Sequence, residues 1–102
     1  MFSKLVSQEL FEGLLKEPVA PIVIVYFTAK WCGACKQIDW SQVKTDGIKW
    51  FVCDVDENDY TPGFCGVRSI PSFQAIINGK CVPLFVSNSA ADINAWVSKL
   101  KK

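Results

Sequence analysis

The 102 residues of this chain contain no histidine, and no second pair of cysteines two residues apart accompanies Cys32 and Cys35. A zinc site built from cysteine and histidine therefore lacks its second half, and no metal is expected. No apolar run approaches the roughly 20 residues of a membrane-spanning helix, so no membrane association is expected. The stretch from Met1 to Glu9 has no apolar h-region and does not read as a secretory signal. Charge of neither sign dominates: 11 Lys and Arg oppose 10 Asp and Glu, a net +1. That balance leaves no electrostatic footprint for nucleic acid. Five cysteines is an odd number, whereas a fully paired secreted framework is normally even. The expected compartment is a reducing one, the cytoplasm. Gly and Pro are present in ordinary number, so disorder is not expected.

What is present is a half-apolar composition in a length that suits one domain over residues 1–102. Phe2 to Val6 has weak strand character. Ser7 is placed to cap a helix over Gln8 to Lys16, with Leu10, Phe11, Leu14 and Leu15 as its apolar stripe. Glu17-Pro18 and Pro21 end it. Residues 22–28 are almost wholly apolar and β-branched, as in a strand buried on both faces. The pattern predicts a helix from about Gly33, ending soon after Trp40 and fading altogether by Lys44 to Gly47. A second inner strand is expected over Ile48 to Val55, closed by the acidic residues Asp54, Asp56 and Glu57. A short helix or turn is expected over Asn58 to Cys65. Ser72 to Ile77 and Cys81 to Val86 flank Asn78-Gly79, a type I′ hairpin signal. Ser89 is placed to cap a last helix with Ile93, Trp96, Val97 and Leu100 on one face. Lys99, Lys101 and Lys102 suit its C-terminal end. This order predicts an α/β layered domain, a central mixed sheet whose parallel inner strands carry an antiparallel hairpin at one edge.

The chemistry concentrates at the end of the apolar strand, in Trp31-Cys32-Gly33-Ala34-Cys35-Lys36. Two cysteines so spaced can be thiols or a disulfide without a change of fold. Three steps of a helix bring their Cα atoms to roughly 5 Å, inside bridging range. Unpaired backbone N–H groups at a helix start favour a thiolate on the first. Cys32, expected to be the more exposed, is the candidate nucleophile. Cys35, one turn further and more buried, is the candidate resolving thiol. Gly33 admits a close-approaching partner backbone, and Trp31 offers a large apolar surface beside the sulfur. Cys53 and Cys81 read as inert core thiols. Cys65 reads as a loop residue of some exposure. Trp40, Trp50 and Trp96 read as core or half-exposed residues without chemistry.

Trp-Cys-Gly-x-Cys-Lys after an apolar strand resembles thioredoxin, and a second match follows in Gly66-Val67-Arg68-Ser69-Ile70-Pro71-Ser72-Phe73. The Asn78-Gly79 hairpin and the last amphipathic helix also fall in the family's places. The resemblance spans nearly the whole chain. It implies a thioredoxin fold with helices on both faces of the sheet, and a cis-proline at Pro71 packed against the dithiol. Ile70 and Pro71 then join Trp31, Gly33 and Ala34 in binding substrate. It implies a protein-disulfide reductase whose redox-active Cys32–Cys35 disulfide needs no bound cofactor. Its partners are disulfide-containing proteins and a thioredoxin-reductase-type flavoprotein as electron donor, and it acts as a monomer.

The chain also departs from the family. The usual buried Asp, six residues before the first cysteine, is Tyr26 here, and its usual Lys partner is Val52. Asp39, four residues past Cys35 on the expected helix, Asp54 at a strand end, and water held by the Tyr26 hydroxyl are the candidate proton acceptors. Ala34 replaces the usual proline and restores an N–H beside the Cys32 sulfur. The segment from Cys35 to Pro71 is about five residues shorter than usual, and the groove glycine before the last helix is Val86 or Ser87. Two rivals remain. One is a non-redox binding subunit of a larger enzyme such as a polymerase, against which the intact dithiol argues. The other is a glutathione-dependent glutaredoxin, which Trp31 and the Gly33-Ala34 interior fit less well.

Overall fold

A computed structural model describes residues 2–17 and 19–101. Pro18, expected to help end the first helix, and Lys102, expected to face the last helix's C-terminus, lie outside the described residues, as does Met1. Among the described residues, six strands and three α-helices follow in the order β1 (Phe2–Lys4), α1 (Gln8–Lys16), β2 (Ile22–Thr28), β3 (Lys49–Asp54), α2 (Tyr60–Cys65), β4 (Ser72–Ile77), β5 (Lys80–Cys81), β6 (Phe85–Val86) and α3 (Ala90–Leu100).

The strands form one sheet in the order β1-β3-β2-β4-β5, with β6 also paired to β4. β1, β3 and β2 run parallel, and β4 turns back antiparallel to β2. The almost wholly apolar β2 therefore sits at the centre, where both faces are covered and a continuous apolar run is needed. Its side chains alternate between two cores. Ile24 and Tyr26 join Trp50, Phe73, Ile93 and Val97 under α3. Val23, Val25 and Phe27 join Phe11, Leu14, Cys53 and Ile76 under α1 and α2.

Local signals set the element ends. Ser7 Oγ accepts from the Leu10 N–H, and Ser89 Oγ from the Asp92 N–H, both at 3.3 Å. Each satisfies an otherwise unpaired donor of a helix start. Asn78 (φ 52°) and Gly79 (φ 81°) both have positive φ, the pair of conformations a type I′ turn requires. Within α1 the stripe is narrower than expected: Phe11 and Leu14 are buried, whereas Leu10 is 49% exposed.

The last expected strand, Cys81 to Val86, is broken. Pro83 cannot donate to a ladder, and regular strand is interrupted over residues 82–84 between β5 and β6, although Val82 N–H still donates to the Ala75 carbonyl of β4 at 3.1 Å. The side chain of Gln74, itself buried, fills the gap by donating to the Val82 and Ala75 carbonyls. Among the described residues, no helix is long and apolar enough to cross a membrane.

Candidate active site

β2 ends at Thr28, and the chain turns at once into the dithiol. Cys32 N–H donates to the Ala29 carbonyl and Lys36 N–H to the Gly33 carbonyl, each at 3.1 Å. Cys32 and Cys35 are joined as a disulfide with Cα atoms 5.4 Å apart. Cys35 N–H donates to Cys32 Sγ at 3.1 Å. The amide that reaches this sulfur is thus Cys35's own, and not that of Ala34.

The helix expected from Gly33 is a single 3-10 turn over Ala34–Gln37. It stops at Ile38, whose extended backbone (φ −71°, ψ 121°) turns a buried side chain into the core under α3. Asp39 then starts a second 3-10 turn, Trp40–Gln42, by accepting from Ser41 N–H at 3.1 Å and from the Ser41 hydroxyl. A short polar side chain that bonds the nearby backbone competes with helix continuation in this way.

The expected contrast in burial between the sulfurs is absent: Cys32 and Cys35 are each 5% exposed. What separates them is the hollow each one meets. Cys32 lines a groove of about 540 Å³ with Trp31, Gly33, Ala34, Pro62, Arg68 and Ile70. Cys35 lines a separate hollow of about 280 Å³ with Tyr26, Thr28 and Asp54.

The groove carries most of the residues expected to bind substrate. Trp31 is 68% exposed, and its Nε1–H donates to Asp56 Oδ2 at 2.8 Å. Gly33 is exposed with an ordinary φ of −65°, and a Cβ there would meet nothing within 4 Å. Nothing in the chain's own packing therefore requires a glycine at that point. The Ile70–Pro71 bond is cis. Ile70 lines the groove beside Ser69 and Arg68, but Pro71 is buried and is not among the lining residues.

Tyr26 occupies the place beneath the dithiol as an aromatic core residue. Its ring stacks on Phe73 at 5.3 Å and meets Trp40 edge-on at 5.0 Å. Its hydroxyl donates to Thr28 Oγ1 at 3.2 Å, and burial raises its pKa despite that bond, so it is a neutral phenol. Asp39 is not on a helix with Cys35, caps the second turn instead, and does not line the Cys35 hollow. Asp54 does.

The remaining cysteines divide. Cys53 is fully buried, and burial reinforced by Asp54 and Glu57 pushes its thiol to about 12. Cys65 ends α2 half-buried, also pushed to about 12, mainly by burial. Cys81, expected in the core, is exposed on the two-residue edge strand β5.

Sequence reasoning missed Arg68, which lines the groove, and Asp56, which holds Trp31. Asp56 was visible only as part of an acidic cluster, and nothing in local spacing ties it to Trp31, 25 residues earlier. Its place just past the C-terminal end of a parallel strand was the available signal, since open α/β sheets bind at those ends. Arg68 was legible only as one letter of the Pro71 motif.

The thioredoxin family model matches residues 2–99. The chain is 33% identical over 103 residues to the thioredoxin of Rickettsia prowazekii, covering 92% of this chain and 94% of that protein. It is 38% identical over 81 residues to the chloroplastic M-type thioredoxin of Brassica napus, covering 74% of this chain and 45% of that protein. The chain thus spans about half the length of the chloroplastic relatives it matches. The structure of Schistosoma mansoni thioredoxin superposes with a TM-score of 0.83 at 29% identity, covering 96% of this chain and 94% of that one.

Proposed function

Because this chain belongs to the thioredoxin family, we propose that it is a thiol–disulfide oxidoreductase that reduces disulfides of other proteins as a single domain. One observation carries the reading: a closed Cys32–Cys35 disulfide at the edge of an open, largely apolar groove. In the reduced form Cys32 attacks, because its sulfur meets the groove in which a substrate disulfide lies and receives the Cys35 N–H. A hydrogen bond to a thiolate stabilises it. The attack breaks the substrate disulfide and forms a mixed disulfide on Cys32. Cys35 then attacks the Cys32 sulfur, the substrate leaves as a thiolate, and the intramolecular bridge closes.

Trp31, Gly33, Ala34 and Ile70 hold the extended substrate, with Pro71 behind them. Electrons arrive from a flavoprotein reductase, and the chain holds no cofactor of its own. It works as a monomer in a reducing cytoplasm, consistent with three further cysteines that remain free thiols. There it carries electrons that maintain redox balance.

The test is reduction of insulin disulfides with dithiothreitol as electron donor. The chain should accelerate precipitation of the insulin B chain. Cys32→Ser should abolish that acceleration, and Cys35→Ser should accumulate a mixed disulfide. A rate no faster than dithiothreitol alone, or full activity in Cys32→Ser, would remove the reading.

A further inference from the structure

Resolution of the mixed disulfide needs an acceptor for the Cys35 proton, and Tyr26 does not supply one. A neutral phenol is a very weak base, and the hydrogen of this one is directed to Thr28. The two central strands place another group on the wall of the hollow that Cys35 lines. Side chains alternate with period two along a strand, so Tyr26 and Thr28 of β2 share a face with Val52 and Asp54 of β3. The parallel register sets Tyr26 beside Val52 and Thr28 beside Asp54. This is the face that carries the dithiol, since Tyr26, Val52, Cys32 and Cys35 belong to one cluster.

Where the strands end, the hollow of about 280 Å³ is lined by Cys35, Tyr26, Thr28 and Asp54, with Lys30 and Lys36 at its wall. Water takes about 30 Å³ per molecule and needs polar partners, and this hollow meets both conditions. Asp54 is half-buried, and its Oδ1 accepts from Asp56 N–H at 2.9 Å. Its Oδ2 has no hydrogen-bond partner among the described residues. On its other side Asp54 shares a smaller hollow with Lys4 and Glu57.

We propose that Asp54 accepts the Cys35 proton across this hollow, through water, during resolution. The assignment rests on the disulfide-exchange reading above. Cys35–SH gives its proton to the Asp54 carboxylate. The resulting thiolate forms the Cys35–Cys32 bond as the bond from Cys32 to the substrate sulfur breaks. The substrate departs as a thiolate, and Asp54 returns the proton to that thiolate or to solvent. Two electrons pass from the dithiol to the substrate, and no other reactant is needed. Lys30 and Lys36 leave the transient Cys35 anion facing cations.

Asp54→Asn, which keeps the shape of the side chain and removes the acceptor, is the test. A mixed disulfide between Cys32 and thionitrobenzoate is formed, and its decay is followed from pH 6 to pH 9.5. At pH 7 the variant should resolve about tenfold more slowly. The deficit should narrow as rising pH ionises Cys35 without help, and Asp54→Glu should regain part of the rate. Iodoacetamide should label Cys32 of the reduced variant at the wild-type rate. An unchanged rate at pH 7, a deficit equal at every pH, or an equal deficit in Asp39→Asn would each overturn the assignment. Failure of the wild-type chain to form or resolve the mixed disulfide would instead remove the exchange reading beneath it.

Discussion

The Trp31 indole N–H donates to the Asp56 carboxylate at 2.8 Å, tying the turn after β2 to the turn after β3. This bond holds an aromatic ring that is 68% exposed at the mouth of the groove beside Cys32. An exposed tryptophan without such a tether is free to swing over the sulfur or away from it, and each substrate would have to order it again.

Asp56→Ala should therefore weaken substrate capture more than it slows chemistry. KM for insulin should rise about threefold, the scale of one exposed hydrogen bond, with kcat close to wild type. Steady-state kinetics separate the two. A fall in kcat at constant KM would show that the tether serves the exchange step instead.

Ala34 opens the 3-10 turn that carries Cys35. Proline there removes the Ala34 N–H, whose dipole lies two residues from Cys32 without bonding its sulfur, and leaves the bonded Cys35 N–H in place. The thiolate of the reduced form loses a stabilising dipole, so the oxidised form gains relative to it. Ala34→Pro should move the reduction potential downward by about 30 mV, the equivalent of tenfold in the two-electron equilibrium. Equilibration against a glutathione series reads it. An unchanged or higher potential contradicts the argument.

Asn58 is buried and joins three parts of the chain. Its Nδ2 donates to the Leu5 carbonyl at 3.1 Å and to Thr61 Oγ1 at 2.9 Å, while its Oδ1 accepts from Thr61 N–H at 3.2 Å. It thereby does the capping that Asp59, which makes no side-chain cap bond, leaves undone at the start of α2. Asn58→Ala strands a buried carbonyl and a buried hydroxyl. The expected loss is about 2–3 kcal/mol of stability, read as a lower urea midpoint. A loss under about 0.5 kcal/mol, the scale of an ordinary surface substitution, would refute the role.

The Cys53 thiol gives the stability a pH dependence. Its pKa rises from 9.0 to about 12 on folding, chiefly through burial. Between those values the folded chain keeps a proton that the unfolded chain releases, so stability falls as pH rises. The contribution is fully present below pH 9 and lost on approach to pH 12. At pH 10.5 Cys53 alone should cost about 2 kcal/mol relative to pH 8.5. Urea titrations at the two pH values check this, and Cys53→Ala should flatten the decline. Equal slopes in both proteins would show that the thiol is not the cause.

Much of the fold was legible because its signals are local. Ser7, Ser89, the apolar run of β2 and the Asn78-Gly79 turn each act within a few residues of where they stand. The active-site helix was not legible as it is. Its end depends on Ile38 being drawn into the core under α3 and on Asp39 turning to Ser41, and neither event has a signature in helical periodicity. Cys81 was misplaced for a related reason. A cysteine beside a strand pattern reads as core, but β5 is a short edge strand and leaves it exposed.

The sequence by itself determined the dithiol, the strand that presents it and the family they belong to, since spacing and apolar patterning are properties of neighbouring residues. Only the tertiary structure decided which hollow each sulfur meets, that Asp56 holds Trp31, and that Asp54 shares a hollow with Cys35 while Asp39 does not. Those relations are set by parallel strand register and by where the chain is pulled inward to bury its side chains. Both couple residues that lie tens of positions apart.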